Sequence, residues 1–170
     1  MKKKILFVVN PISGGKNKEK IVELIKQTID TELFVTEFVY TKSGGDAVCR
    51  AKDTDAEIVV AVGGDGTVNE VARGICDSSK ILGIIPCGSG DGMAFHLGIS
   101  RNVRKAVKVL NEKNIVHIDS GIVNSNSFFC TTGMGIDALT AEKFATTKKR
   151  GLLNYIVLAL SIWKNFKPER

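Results

Sequence analysis

The chain has 170 residues, 44% of them hydrophobic and 25% charged, which suits one globular domain or slightly more and excludes a disordered or low-complexity polypeptide. A net charge of +6 favours anionic partners such as nucleotides, phosphates or an acidic membrane surface. Aromatic residues make up only 6% and the basic residues are scattered, so no nucleic-acid platform is expected.

Lys2, Lys3 and Lys4 precede a short apolar run, Ile5 to Val9, too short for the core of a signal peptide. Lys4 to Val9 reads as a strand that ends at the turn signal Asn10-Pro11. Ile21, Leu24, Ile25 and Thr28 share one helix face, and Leu33 to Tyr40 reads as a second strand. Ser43-Gly44-Gly45-Asp46 opens a helix predicted to end near Lys52. Ile58 to Val62 is apolar and mostly β-branched, the pattern of a strand buried on both faces. Val68, Val71, Ala72 and Ile75 then mark a helix face, for which Thr67 is the expected N-cap. Ile81 to Ile85 is a fourth strand, followed by a second glycine-rich turn, Pro86 to Gly92, and a helix ending near Leu97. Ser100 is the expected cap of a helix with Val103, Ala106, Val107 and Leu110 on one face.

Four strands alternating with helices predict an α/β fold, a parallel sheet covered by helices on both faces. Right-handed crossovers place all the strand C-termini on one edge, where open α/β sheets bind ligands. The turn between the third strand and its helix is the most informative feature there. Gly63, Gly64 and Gly66 let the backbone turn sharply and approach a ligand without a Cβ in the way. A helix N-terminus beyond them offers unpaired N–H groups and a positive dipole end to an anion. Asp65 is the one carboxylate inside the turn, suited to holding a metal or taking a proton. The chain has no GxxxxGK[ST], so a P-loop enzyme is excluded, and Gly88-x-Gly90-x-x-Met93 lacks the third glycine of a dinucleotide fingerprint.

Beyond residue 114 the texture changes. Ile115 to Val123 and Phe128 to Thr132 read as strands joined around Asn124-Ser125-Asn126, a hairpin. Leu152 to Trp163 is apolar almost all round, short of the ~20 residues that span a membrane, and is expected to be buried. Two strands and a helix cannot cover themselves, so the chain is expected to be part of a longer protein or completed by a partner, with the last helix prone to homo-oligomer formation. Cys49, Cys76, Cys87 and Cys130 show no CxxC spacing and no paired histidine; buried thiols in a reducing cytoplasm are expected, not zinc. Structural roles are expected for His96 and His117.

Five motifs lie in order along the chain: NPxxG at Asn10 to Gly14, TxxxGDA at Thr41 to Ala47, GGDGT at Gly63 to Thr67, GSGxxxA at Gly88 to Ala94 and GxGxDA at Gly133 to Ala138. This set resembles the diacylglycerol kinase catalytic domain family, which includes sphingosine and ceramide kinases and bacterial lipid kinases. The resemblance runs from residue 4 to about 160. It implies a nucleotide-binding α/β domain at 1–114 and, at 115–170, the incomplete start of a β-rich lipid-substrate domain. It further implies ATP-dependent transfer of the γ-phosphate to a lipid hydroxyl, with ATP and Mg²⁺ as cofactors and a lipid at the membrane surface as partner. The location implied is cytoplasmic with peripheral membrane contact. Asn10, Ser13, Gly14, Gly63, Gly64, Gly66 and Thr67 then hold the nucleotide phosphates, flanked by Thr41, Gly88 and Ser89. Asp65 is the essential acid by the same resemblance, either activating the acceptor or organising the metal, whose full ligand set stays unassigned. Asp137 matches the acid that contacts the lipid head group, and Lys148 and Arg150 fall where basic residues reach phosphate.

One departure bears on the acceptor. Bacterial diacylglycerol kinases show Gly-Thr-x-Asn-Asp in the fourth loop, whereas Gly88-Ser-Gly-Asp-Gly-Met-Ala94 is closer to sphingosine and ceramide kinases. That favours a sphingoid-base or ceramide-like acceptor over diacylglycerol. Two other readings stay open on the residues alone: an NAD kinase, which shares GGDGT, and a nucleotide-binding fragment without catalysis.

Overall fold

The computed structural model describes residues 2–15, 17–129, 132–147 and 152–166. The chain divides into two compact units, residues 1–130 and 131–170.

The first unit is built on a four-stranded parallel sheet of β1 (Lys3–Val9), β2 (Phe34–Tyr40), β3 (Ile58–Gly63) and β4 (Ile81–Pro86), in the order β2-β1-β3-β4. Five helices connect or follow the strands: α1 (Lys18–Thr28), α2 (Asp46–Asp53), α3 (Asp65–Ile75), α4 (Gly92–His96) and α5 (Val103–Glu112). Alternation along the strands sorts the core into two layers. Ile5, Phe7, Val9, Val60, Val62 and Ile85 face α1 and α5, meeting Ile21, Ile25, Ala106 and Val107. Leu6, Val8, Val59, Ala61 and Ile84 face the other way, onto Ala47, Val68, Val71 and Met93. All six residues of β3 are buried, as expected of a strand covered on both faces. Val9 pairs with both Tyr40 and Val62, and Gly63 with Pro86. This register brings the four following loops out at the same edge of the sheet.

Local capping differs from expectation at two helices. α3 starts at Asp65 with Gly64 as N-cap, two residues before Thr67. Thr67 is buried in the first turn, packed over the bare Cα of Gly63, and its hydroxyl accepts a hydrogen bond from Asn10 Nδ2. A tertiary partner has taken the side chain that local propensity assigned to capping. α5 is capped by Asn102, whose side chain accepts from Lys105 N–H, while Ser100 Oγ accepts from the Asn102 N–H.

The hairpin is shorter than its sequence suggests: β5 (Gly121–Val123) and β6 (Asn126–Phe128) pair antiparallel. Asn124 and Ser125 form its two-residue turn with φ of 48° and 64°, and that turn sets the register. Residues 115–120 are not in a strand; Ile115, Val116 and Ile118 are exposed and no strand in the sheets of the described residues pairs with them. Cys130 and Thr131, at the far end of the second expected strand, lie outside the described residues. The cysteine expectation holds for Cys87, which is buried, but Cys49 and Cys76 are exposed.

The second unit contains α6 (Ile136–Thr146) and α7 (Leu152–Asn165), which pack with Phe144 edge-on to Tyr155 at 5.3 Å. Ile162 is buried, but Leu153, Val157 and Trp163 are mostly exposed, so the expected burial of α7 is only partial. α6 by itself has too little surface to cover a helix that is apolar all round. No helix among the described residues is long and apolar enough to cross a membrane.

Candidate active site

Three of the four loops at the sheet edge touch one another through glycines. Gly14, at φ +58°, sits so close to the next loop that a Cβ there would lie 1.8 Å from the Cys87 carbonyl oxygen. Gly64 and Gly88 lie Cα against Cα; a Cβ on Gly88 would come within 2.5 Å of the Gly64 Cα. Only residues without side chains permit this approach. Asn10 ties the first loop to the third, donating from Nδ2 to Thr67 Oγ1 at 3.0 Å and from its N–H to the Val62 carbonyl at 3.0 Å. Asn10 also closes its own loop: Oδ1 accepts from the Ile12 N–H and its carbonyl accepts from the Ser13 hydroxyl.

The third loop keeps its donors open. Among the described residues, the N–H groups of Gly64, Asp65, Gly66 and Thr67 meet no protein acceptor. Four such donors at a helix N-terminus form an anion cradle. Asp65 is exposed within it. Its Oδ2 accepts from the Asp91 N–H at 2.8 Å, and Oδ1 meets no donor among the described residues. A carboxylate oxygen is therefore available beside the place where an anion fits.

The fourth loop is held differently. The Gly88 N–H donates to Asp91 Oδ1 at 2.8 Å, and the carbonyls of Ser89 and Gly90 accept from Arg101 at 2.8 and 2.9 Å. The second loop hangs from the sheet by the Thr41 N–H, which donates to the Val9 carbonyl at 2.9 Å. Asp46 closes that loop by accepting from the Lys42 N–H at 2.9 Å. This hydrogen bond, with Arg50 as a lesser contributor, holds the Asp46 carboxyl below the usual carboxylate range. A lowered folded-state value contributes stability above the unfolded value and loses it as acid protonates the group, so this loop closure is complete at neutral pH.

The first unit thus gathers Asn10, Ser13, Gly14, Gly63, Gly64, Asp65, Gly66, Thr67, Gly88 and Ser89 into one contiguous network, with Thr41 anchored to the same sheet edge. Asp137 is not among them. It belongs to the second unit, exposed in the first turn of α6 beside Gly133. Lys148 and Arg150 lie outside the described residues.

Three residues were not singled out by sequence reasoning. Asp91 and Arg101 are the pair that holds the fourth loop. Lys18 opens α1, is buried, and donates from Nζ to the Ser13 carbonyl. The available signal was electrostatic: a cation in the first turn of a helix opposes the dipole and needs a compensating reason. Here it fixes the first loop and adds positive charge at its base. Lys18→Met is expected to cost about 1.5–3 kcal/mol of stability, the range for losing a hydrogen bond made by a charged group. Denaturant unfolding checks this, and an unchanged midpoint would mean that the Lys18 contact does not hold the loop.

The model of the diacylglycerol kinase catalytic domain matches residues 4–123, more than half of the chain. The chain belongs to the diacylglycerol kinase catalytic domain family. A diacylglycerol kinase of Bacillus subtilis is 30% identical over 174 residues, covering 98% of this chain and 57% of that protein. A diacylglycerol kinase of Staphylococcus carnosus is also 30% identical, over 88% of this chain and 50% of its own length. A protein of Streptococcus pneumoniae named as a putative lipid kinase is 33% identical over 91% of this chain and 55% of its own length. The crystal structure of a diacylglycerol kinase from Bacillus anthracis superposes with a TM-score of 0.65 at 26% identity, covering 74% of this chain and 48% of that one. The chain spans about half the length of the curated relatives it matches. Membership of this kinase family and the parallel α/β sheet agree with the sequence reading.

Proposed function

We propose that this chain carries the nucleotide-binding part of an ATP-dependent lipid kinase that transfers the γ-phosphate of ATP to a lipid hydroxyl. The observation that carries the reading is the turn at 64–67, where four N–H groups that meet no acceptor among the described residues lie around an exposed Asp65. Phosphoryl transfer asks a protein for positioned phosphates, neutralised charge and an oriented acceptor, and little covalent chemistry. The glycine loops provide the first and Lys18 adds to the second. The acceptor oxygen bonds to the γ-phosphorus as the bond to the ADP oxygen breaks, and the hydroxyl proton leaves. Asp65 either takes that proton or holds Mg²⁺. Magnesium is bound through one or two carboxylates together with phosphates, a donor set that one open carboxylate oxygen beside an anion cradle fits. When bound it would neutralise charge on the transferring phosphoryl group.

The substrate is proposed to reach the site from a membrane surface, and the net charge of +6 favours an anionic one. The acceptor is either diacylglycerol, which the relatives' names suggest, or a sphingoid base or ceramide, which the fourth loop favours. Incubating the full-length protein with γ-labelled ATP and each lipid in turn decides. Label in the organic phase with one acceptor supports the proposal and names the substrate. ATP binding without transfer to any lipid would leave a nucleotide-binding module and overturn it.

A further inference from the structure

Asp65 is held by a backbone N–H that is itself held by an ion pair on the far side of its loop. The carboxylate of Asp91 is almost completely buried, its side chain 1% exposed. Oδ1 accepts from the Gly88 N–H and Oδ2 pairs with Arg101 Nε at 2.9 Å. The guanidinium continues along the loop, donating from Nη2 to the carbonyls of Ser89 and Gly90, and lies over the Phe95 ring at 4.8 Å. A buried carboxylate without a cation is strongly disfavoured, so removing one partner leaves the other exposed to that cost. Asp91 also adopts the left-handed conformation, φ 56° and ψ 40°, which a residue other than glycine holds only when its surroundings impose it. In that conformation its N–H points at Asp65 Oδ2, 2.8 Å away. Gly90 leaves the room: a Cβ there would lie 2.8 Å from the same oxygen.

We infer that Arg101 is a positioning residue for Asp65, acting through the Asp91 ion pair and the Asp91 N–H. This rests on the reading of Asp65 as the acid of the transfer site. The clamp engages one carboxylate oxygen and leaves Oδ1 as the one presented to the acceptor hydroxyl or to magnesium. Asparagine at position 91 would keep the acceptor for Gly88 and the N–H for Asp65, but would lose the charge that anchors Arg101. Sequence alone offers no link between positions 65, 91 and 101; the loop contact at the sheet edge creates it.

The test is a double-mutant cycle in the full-length protein, read as label transfer to the lipid acceptor. Arg101→Ala is expected to lower kcat about 10–100-fold, the range for losing an outer-shell partner of an active-site group, with the KM for ATP unchanged. Arg101→Lys, which keeps the ion pair but cannot serve both carbonyls, should fall between the two. In an Asp65→Asn background Arg101→Ala should cost nothing further, because its effect passes through the missing carboxylate. An equal loss in both backgrounds, or a raised KM for ATP with kcat intact, would overturn the inference and leave Arg101 a structural residue. Full kcat in Arg101→Ala would do the same. If Asp65→Asn alone turns over normally, the reading of Asp65 has failed, separately from the clamp.

Discussion

Replacing Asp65 by asparagine in the full-length protein is expected to lower the rate of phosphoryl transfer about 10²–10⁴-fold, the span that a positioned acid or base contributes. The fold should survive, because asparagine keeps an Oδ acceptor for the Asp91 N–H and Asp65 is exposed on its other side. ATP affinity, measured by calorimetry, should change little, since on the proposed function the N–H groups of the turn would do the binding and the substitution leaves them in place. Magnesium separates the two roles open to the carboxylate. If it helps hold the metal, raising magnesium restores part of the lost rate; if it takes the acceptor proton, added metal restores none. Near-normal turnover of Asp65→Asn would remove this residue from the chemistry altogether.

Gly14→Ala carries the largest structural penalty among the loop residues. At φ +58° an alanine costs about 1–2 kcal/mol from backbone sterics alone. The added methyl would also stand 1.8 Å from the Cys87 carbonyl oxygen and 2.9 Å from its carbon, both backbone atoms that cannot swing aside. The first and fourth loops must then separate, for a total of roughly 2–4 kcal/mol. A fall in melting temperature of roughly 4–16 °C follows for a domain of this size, together with weaker ATP binding. Gly15→Ala is the control. Its φ of +62° is as unfavourable, but a Cβ there meets nothing within 4 Å. Its cost should stay near the backbone value of about 1–2 kcal/mol. Equal destabilisation by the two substitutions would mean that the contact between the loops does not matter.

Most of the first unit was legible in the sequence, because its signals are local. β3 announces itself by five consecutive apolar residues, Ile58 to Val62, which only burial on both faces explains. The helix faces at Ile21 to Thr28 and Val68 to Ile75 carry a clean period of 3.6. The glycine turns stood out because glycine is favoured wherever a backbone must turn left-handed or touch another backbone. Legibility failed where a residue's role was assigned by something distant in the chain. Thr67 has the composition of a cap but is buried against Gly63 and bonded to Asn10. Cys49 and Cys76 look like buried thiols by type and are exposed by position. The apolar run at 115–118 has strand composition but finds no partner strand within the sheets of the described residues. α7 is apolar all round, yet the described structure covers it only in part.

The order of strands and helices along the chain, the glycine turns after the strands and the acid inside the third turn were legible in the sequence alone, because periodicity and glycine placement act over a few residues. The tertiary structure alone decided that Lys18 supports the first loop, that Gly14 and Gly88 must stay bare, and that Arg101 reaches Asp65 through Asp91. These depend on which loops the parallel register brings together, and a hydrogen bond between residues 26 positions apart leaves no periodic trace in the chain.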